Sequence, residues 1–571
     1  MFQNSLLFVI IKRMRLPMYV LVTTFSISIL GLVLIPGVDS DGNVYHLSFF
    51  DAFYIVSYTA TTIGFGELPY NFTYLQRLWL TLSIYMTVVG WLYAVGAIIV
   101  LIQDRVFAAQ IALTRFKKKV DSITEPFIIF IGYNSVTKAV IKKLNEVGIR
   151  SVVVEKDESK IDNLFLDLQN YLTDVPALSA DIKNPRVFTI AGIHKQNCKA
   201  VVSLFNDDQM NLHVTVSVKV MNKNVKVIAE ATTREYEQHL KTVNADVIEN
   251  PFGMVAKHIY LSLKSPSLLI LKQWMYGEPL VLRKKDRLPK SGRYVVCGYG
   301  RMGSMIEIAL NRAGVDYIFI EKDANKVKNA RVQSKILHGD ATDKKILYEA
   351  KIHEATCVVA ATKDDLLNLS IVLTSRRMNP DIFTIARENN LDDTIIFKAA
   401  KIDRIIMFKT VISKKTYNVI ARPLLSRFIK LIEHRGEEWG KKVINLLKMH
   451  INSNPGTMEV VIDKNHAYAL TQYLKEKKEN IPYSILYRRR DNYIKNNSLL
   501  ILYIKRGDEE ILLPNQNIPI EIGDEVLIAG TKDSFDDVKY IMENIYELHY
   551  VLKGSEYVSP VISKIVSRFK R

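Results

Sequence analysis

The sequence predicts a helical membrane domain joined to a duplicated, doubly wound α/β domain, with a small α+β lobe at the end of the chain. Three observations predict it. Two long charge-free runs lie near the start, separated by a shorter run that contains glycines. A pattern of apolar strand, glycine turn, helix and second strand then occurs twice. A β-rich stretch lies near the C-terminus.

The membrane domain comes first. Residues 16–38, 52–66 and 78–103 carry no charged side chain. A helix rises about 1.5 Å per residue, and the hydrocarbon core is about 30 Å thick. The first and third runs are long enough to cross. The middle run is not, and must enter and return on one side. Non-helical backbone at that depth survives only when buried in protein or lining a water-filled path. The first run is long and no small-residue cleavage site follows it, so it reads as a retained span rather than a leader.

Lys12, Arg13 and Arg15 precede the first span, and Arg105, Arg115, Lys117, Lys118 and Lys119 follow the second. Asp39, Asp41, Asp51 and Glu67 lie between the spans. The positive-inside rule then places both chain ends in the cytoplasm. Neither span carries repeated arginines, which excludes a voltage sensor of the usual kind. Basic and acidic residues balance over residues 1–110, so the formal net charge of +18 sits in the rest of the 571-residue chain. That excess suits a soluble surface near anionic lipid. No aromatic-basic stripe marks a nucleic-acid surface. Cys198, Cys297 and Cys357 are too few for a disulfide framework, which points to a reducing compartment. The histidines show no metal-ligand spacing.

The middle run holds TATTIGFGEL, Thr59 to Leu68. Ser48 to Thr61 reads as a short helix with Ser48 as N-cap and Asp51 in its first turn. Its partly negative C-terminal end faces the place where a cation would wait. Gly64 and Gly66 lack the Cβ that opposes positive φ. Residues around them can therefore alternate in handedness and aim consecutive carbonyls the same way. Such carbonyls, with the Thr62 hydroxyl below them, can replace the hydration shell of a cation.

TTIGFGE, Thr61 to Glu67, placed between a short helix and a span, resembles the selectivity filter of potassium channels. The resemblance implies an ion-channel pore with K+ held by the carbonyls of Thr62, Ile63, Gly64 and Phe65. Thr61, Gly66 and Glu67 complete the filter. One chain supplies a quarter of such a ring, so a homotetramer is implied. Phe65 stands where the family more often has tyrosine, and a hydroxyl that ties the filter to its surroundings is lost. Glu67 replaces the commoner aspartate, and Ile63 the commoner valine. Gly90 lies part-way down the second span, where this family often has a gating hinge. Gly90 and Ala94 also form a small-xxx-small pair suited to close packing.

The cytoplasmic repeat covers residues 127–420. FIIFIGYNSVTKAVIKKLNEVGIRSVVVEKD begins the first copy, and YVVCGYGRMGSMIEIALNRAGVDYIFIEKD the second. NDDQMNL (Asn206 to Leu212) is matched by KDDLLNL (Lys363 to Leu369). Alternating β-rich and helical runs indicate a parallel, doubly wound sheet in each copy. The second copy has the full Gly298-Tyr299-Gly300-Arg301-Met302-Gly303 turn after a strand. Gly298 permits the tight turn, Gly300 lets a pyrophosphate approach, and Gly303 allows helix and strand to pack closely. The helix N-terminus then faces the phosphates. Glu321 sits where a carboxylate accepts from ribose hydroxyls. In the first copy, Asn134 and Thr137 replace two of the glycines, which predicts no dinucleotide there in the usual pose, or poor binding.

Both copies resemble the RCK (TrkA-N-like) lobes attached to many prokaryotic potassium channels. Leu499 to Gly530 resembles their small C-terminal lobe. The resemblance implies a pore domain at 1–104, a linker at 105–126 and a first RCK domain at 127–290. A second RCK N-lobe follows at 291–420, then a C-terminal helical and β-rich lobe at 421–571. It implies that Asp340 and Ala341 of GDAT, Thr362, Lys322 and Arg387 join the glycine turn around NAD(H) or an adenine nucleotide. Some members bind calcium through carboxylates after the second strand. Here Lys156 and Lys322 follow the strand-end glutamates, and Thr232 stands at the second acidic position beside Glu230, which departs from that site. Ca2+ elsewhere on the ring stays open.

The implied function is a ligand-gated, potassium-selective channel in the bacterial inner membrane, with lipid and a small nucleotide as partners, no nucleic acid and no enzymatic activity. Two alternatives differ in class. A Trk- or Ktr-like transporter subunit repeats the span–pore–span unit four times in one chain, and this chain has it once. A membrane-anchored NAD-dependent dehydrogenase would leave the filter unexplained.

Overall fold

A computed structural model describes residues 3–169, 171–278, 280, 288–390, 393–451, 454–477 and 479–555. The outer ends of the expected 1–104 and 421–571 segments, residues 281–287 and the Arg105 side chain lie outside that description. Two compact units form. The first holds residues up to Thr124, and the second nearly all of the rest.

In the first unit, α1 (Gln3–Leu34), α2 (Phe49–Ala60), α3 (Tyr74–Gln103) and α4 (Arg105–Asp121) follow in order. Ile10–Leu34 and Tyr74–Gln103 are long and apolar enough to cross a membrane. Helix α2 has 12 residues, about 18 Å, and is too short to do so. The Ser48 side chain caps it by accepting from the Asp51 N–H at 3.2 Å, as its sequence predicts. A capping box of Thr73 and Gln76 starts α3. Helix α1 packs along α3, and small residues set the approach. A Cβ on Gly31 would lie 2.0 Å from the Trp79 indole, and one on Gly90 2.7 Å from the Thr24 hydroxyl. Because α3 runs through Gly90 without a break, the structure supplies a packing reason for that glycine. The Asp104 carboxylate caps α4 and pairs with Arg13, tying the end of α3 to the first third of α1. Most of the segment expected as a linker is therefore helical.

The second unit is built from two parallel sheets of matching topology. In the first copy the strands are β1 (Phe127–Ile131), β2 (Arg150–Glu155), β3 (Ala177–Ser179), β4 (Cys198–Ser203), β5 (Lys226–Glu230) and β6 (Val247–Glu249), in the order β3-β2-β1-β4-β5-β6. The second copy has β7 (Arg293–Cys297), β8 (Asp316–Glu321), β9 (Ile336–His338), β10 (Cys357–Ala360), β11 (Phe383–Glu388) and β12 (Arg404–Met407), in the order β9-β8-β7-β10-β11-β12. Near-continuous runs such as FIIFI and the buried part of RYVVC reflect strands covered on both faces. Each sheet changes direction beside its glycine-turn strand, which opens a crevice at the carboxyl ends of the strands.

Helices α5 (Ser135–Glu146), α7 (Pro251–Lys264), α9 (Arg301–Ala313) and α11 (Phe408–Ala421) join the copies, while α6 (Asp208–Met221), α8 (Pro266–Met275) and α10 (Asp365–Met378) lie between them in sequence. The exchange is reciprocal: α7, after the first sheet, packs on α9 of the second copy, and α11, after the second sheet, packs on α5 of the first. Phe252, Val255 and Ile259 of α7 share one buried core with Met302, Ile306 and Leu310 of α9. The C-terminal part contains an antiparallel four-stranded sheet. Leu268, Leu271 and Trp274 of α8 enter its core beside Leu425, Phe428 and Leu527, so residues that precede the second copy help to build the last lobe.

Candidate functional site

The re-entrant turn is assembled from the carboxyl end of α2. The N–H of Thr62 donates to the Thr59 carbonyl at 3.1 Å. Those of Ile63 and Gly64 both donate to the Tyr58 carbonyl, at 2.9 and 3.4 Å. Thr62, Gly64 and Gly66 have φ of 62°, 67° and 98°, so left-handed backbone falls on every second residue. A peptide carbonyl lies opposite its N–H, so amides turned back to α2 send the oxygens outward. Among the described hydrogen bonds, none engages the carbonyls of Thr62, Ile63, Gly64 or Phe65. Their residues are exposed on the single chain. Thr61 differs: its hydroxyl donates to the Ser57 carbonyl at 2.8 Å.

Two side chains that the sequence reading passed over hold this turn. The Tyr58 hydroxyl donates to the Gly66 carbonyl, and its ring meets Phe65 edge-on at 5.6 Å, while Tyr54 stacks on Phe65 at 6.2 Å. A hydroxyl from the helix thus braces the turn that has no tyrosine of its own. The Glu67 carboxylate takes two hydrogen bonds from Arg77, at 2.9 and 3.0 Å, and one from the Phe72 N–H at 2.8 Å. Arg77 is the one charged residue between Glu67 and Asp104, and that isolation was the available signal. Nothing in the local pattern marks Tyr58.

The second-copy crevice gathers the turn Gly298–Gly303 with Glu321, Lys322, Asp340, Ala341 and Thr362 at the carboxyl ends of neighbouring strands. Each glycine has its own reason. Gly298 has φ of 107°. A Cβ on Gly300 would meet nothing within 4 Å, so the space above it is open. One on Gly303 would lie 2.2 Å from the Gly298 carbonyl oxygen. Gly300 is the N-cap of α9 and no side chain caps that helix; the first-turn N–H groups are left for an anion. Tyr299 and Met302 are buried.

Glu321 is 7% exposed and accepts from the Tyr299 N–H at 2.6 Å and the Asp323 N–H at 2.9 Å. Its carboxylate braces the turn in this structure. Lys322 pairs with Asp340 at 2.8 Å; that hydrogen bond, with others from the Thr342 N–H and hydroxyl, pulls the Asp340 carboxyl down to about 2. Thr362 donates from N–H and hydroxyl to Asn368 at 3.0 and 2.7 Å. Arg387 lies near the end of the neighbouring strand β11, and its carbonyl accepts from the same Asn368 amide group that serves Thr362, at 2.9 Å. Its guanidinium stacks over Phe408 at 4.9 Å and Phe252 at 5.6 Å, and its Nε has no acceptor among the described residues. Burial, then the charge of Arg301, lowers it to about 10.

In the first copy the same place is closed from within. Asn134 caps α5, its Oδ1 accepting from Val136 and Thr137 N–H groups at 2.9 and 3.1 Å, and the Thr137 hydroxyl accepts from the Asn134 N–H at 2.8 Å. The Phe205 ring lies 2.5 Å from where a Cβ on Gly132 would sit. Glu155 keeps the turn-bracing role of Glu321, accepting from the Tyr133 N–H at 2.7 Å. Glu230 occupies the position of Arg387. Burial, then the nearby Asp208 and Glu249, pushes its carboxyl up to about 8. Among the described residues no three His, Cys, Asp or Glu side chains are arranged to hold a metal ion.

A doubly wound parallel sheet with a glycine turn at its switch point, present twice and preceded by two long apolar helices, defines a duplicated α/β fold. Residues 128–251 and 294–408 each match the TrkA-N domain. An uncharacterized protein of Methanothermus fervidus is 25% identical over 245 residues, 43% of this chain and 37% of that protein. Potassium channel protein 1 of Methanocaldococcus jannaschii is 26% identical over 270 residues, 46% of this chain and 71% of that protein. The chain thus spans little over a third of the first relative and under three quarters of the second. The solved GsuK channel bound to NAD aligns over 93% of this chain and 98% of its own, at 16% identity and a TM-score of 0.45.

Proposed function

We propose that this chain is one of four identical subunits of a potassium-selective channel in a prokaryotic plasma membrane, gated by a nucleotide bound to its second α/β copy. The observation that carries this reading is the alternation of handedness at Thr62, Gly64 and Gly66, with four successive carbonyls that take no donor among the described residues. A ring of four such turns would stack oxygens around a dehydrated K+. On the single chain Ile63 and Phe65 are 60% and 61% exposed, and assembly around an axis would cover them. Likeness to a potassium channel protein of another prokaryote supports the reading. Residues 1–104 form the pore, with both chain ends cytoplasmic, and the repeat and C-terminal lobe form a gating ring. NAD(H) or an adenine nucleotide is the ligand at Gly298–Gly303. The single span–turn–span unit sets this apart from a Trk-like transporter subunit.

Purified protein in planar bilayers under unequal K+ and Na+ tests it, with NAD+ and ADP titrated on the cytoplasmic side. A reversal potential following K+ and a nucleotide response lost in Gly300→Asp are expected. Currents that Na+ carries as readily would overturn the pore assignment, and an unaltered variant response the ligand assignment. Tyr58→Phe removes the brace on Gly66 and should lower the K+/Na+ permeability ratio several-fold. Adding Phe65→Tyr, which returns a hydroxyl, should recover part of the loss.

A further inference from the structure

A polar contact between the two copies is made by one residue of the nucleotide turn itself. Arg301 is the first residue of α9, and its guanidinium donates to the Thr232 hydroxyl of the first copy at 2.6 Å. The same guanidinium lies 5.1 Å from the ring of Phe252, also from the first copy. Thr232 is 6% exposed and firmly seated: its N–H and hydroxyl both donate to Asp208, at 2.7 and 3.0 Å. The contact is one-sided. Ser135 matches Arg301 in the first copy and is too short to return it.

Resting on the nucleotide reading above, we infer that the Arg301–Thr232 hydrogen bond is a latch between the copies, which a nucleotide phosphate at the α9 N-terminus breaks by taking Arg301 for itself. The chemistry favours release. A phosphate is a charged acceptor that can take two parallel hydrogen bonds from a guanidinium, whereas the neutral Thr232 hydroxyl accepts one. Arg301 begins the helix whose first turn would hold the phosphate, so it can serve one acceptor or the other. The first copy, which has closed its own turn, thereby senses occupancy of the second. Breaking the latch leaves the Phe252 contact to reorganise, and α7 carries that change into the first copy.

Competition makes a signed prediction by linkage: what weakens the latch strengthens the ligand. Thr232 lies outside the second-copy crevice, so Thr232→Val leaves the phosphate site intact. Calorimetric titration of NAD+ and ADP into the detergent-solubilised full-length protein should show about fivefold tighter binding in Thr232→Val than in wild type. The nucleotide-induced change in open probability in bilayers should shrink, because the unliganded variant already resembles the liganded protein. Thr232→Ser keeps the hydroxyl and should behave as wild type in both measurements, which separates the latch from general loosening around Asp208. Thr232→Val affinities within twofold of wild type, or weaker, would sink the latch while leaving the nucleotide site standing. A wild-type protein that binds neither nucleotide removes both readings.

Discussion

The two α/β copies share strand order, turn-bracing glutamate and helix placement, yet begin their first helix in opposite ways. In the first copy α5 is capped by its own Asn134 and Thr137. In the second, α9 starts at Gly300 with no side-chain cap. A helix start has N–H groups that something must satisfy. The first copy satisfies them from its own sequence and gains local stability. The second leaves them open to water or to an anionic ligand. The same backbone becomes scaffold or site according to whether two positions carry side chains.

Exchanging residues between the copies tests this, starting where the effect should be largest. Gly303→Thr imports Thr137 into a turn whose carbonyl would be 2.2 Å from the new Cβ. The second copy should lose about 3 kcal/mol, read as a lower thermal midpoint of the purified protein. Little loss would mean that the turn opens as freely as its counterpart. Gly300→Asn imports the other side chain into open space. It should stabilise α9 by only a few tenths of a kcal/mol, glycine being itself a tolerated N-cap, while weakening NAD+ or ADP binding at least tenfold, since cap and phosphate compete for the same N–H groups. Stability and affinity that fall together would contradict self-capping as the reason.

Glu230 and Arg387 offer a pH test at matching positions. The raised carboxyl of Glu230, about 8, means that the folded chain holds this proton more tightly than the unfolded one. Its stabilising effect is full below the ordinary carboxyl range and is lost as pH rises to about 8. Stability, read as the thermal midpoint, should therefore fall between pH 5.5 and 8.5, by on the order of 3 kcal/mol from this group, and Glu230→Gln should flatten that part of the profile. An unchanged slope would exclude Glu230 as its source. Smallest of all, Asn134→Ala should cost about 1 kcal/mol of first-copy stability and leave nucleotide affinity untouched. A change in affinity would place ligand in the first copy after all.

Much of the fold was legible in the chain because the signals are local. Charge-free runs of 16–38 and 78–103 mark helices by length alone, and Ser48 marks the start of α2 by its side-chain oxygen. Gly298, Gly300 and Gly303 were readable one by one, since each answers to a backbone demand within a few residues. Arg387 was legible as a member of the second copy but not in its surroundings, since Phe252 comes from a helix of the first. The hydroxyl missing at Phe65 was visible in the sequence; its replacement by Tyr58 was not, because helix geometry decides which side chain faces Gly66.

The sequence by itself determined where two long apolar helices run, where the chain turns between them, and which copy leaves its helix start uncapped, since chain length, charge and the presence of a Cβ are properties of single residues. Only the tertiary structure decided that Phe205 roofs Gly132, that Arg77 clamps Glu67 and that Arg301 reaches Thr232 across 69 positions. Those contacts depend on how helices and strands pack against one another, and packing is settled by the whole fold rather than by any neighbouring stretch of chain.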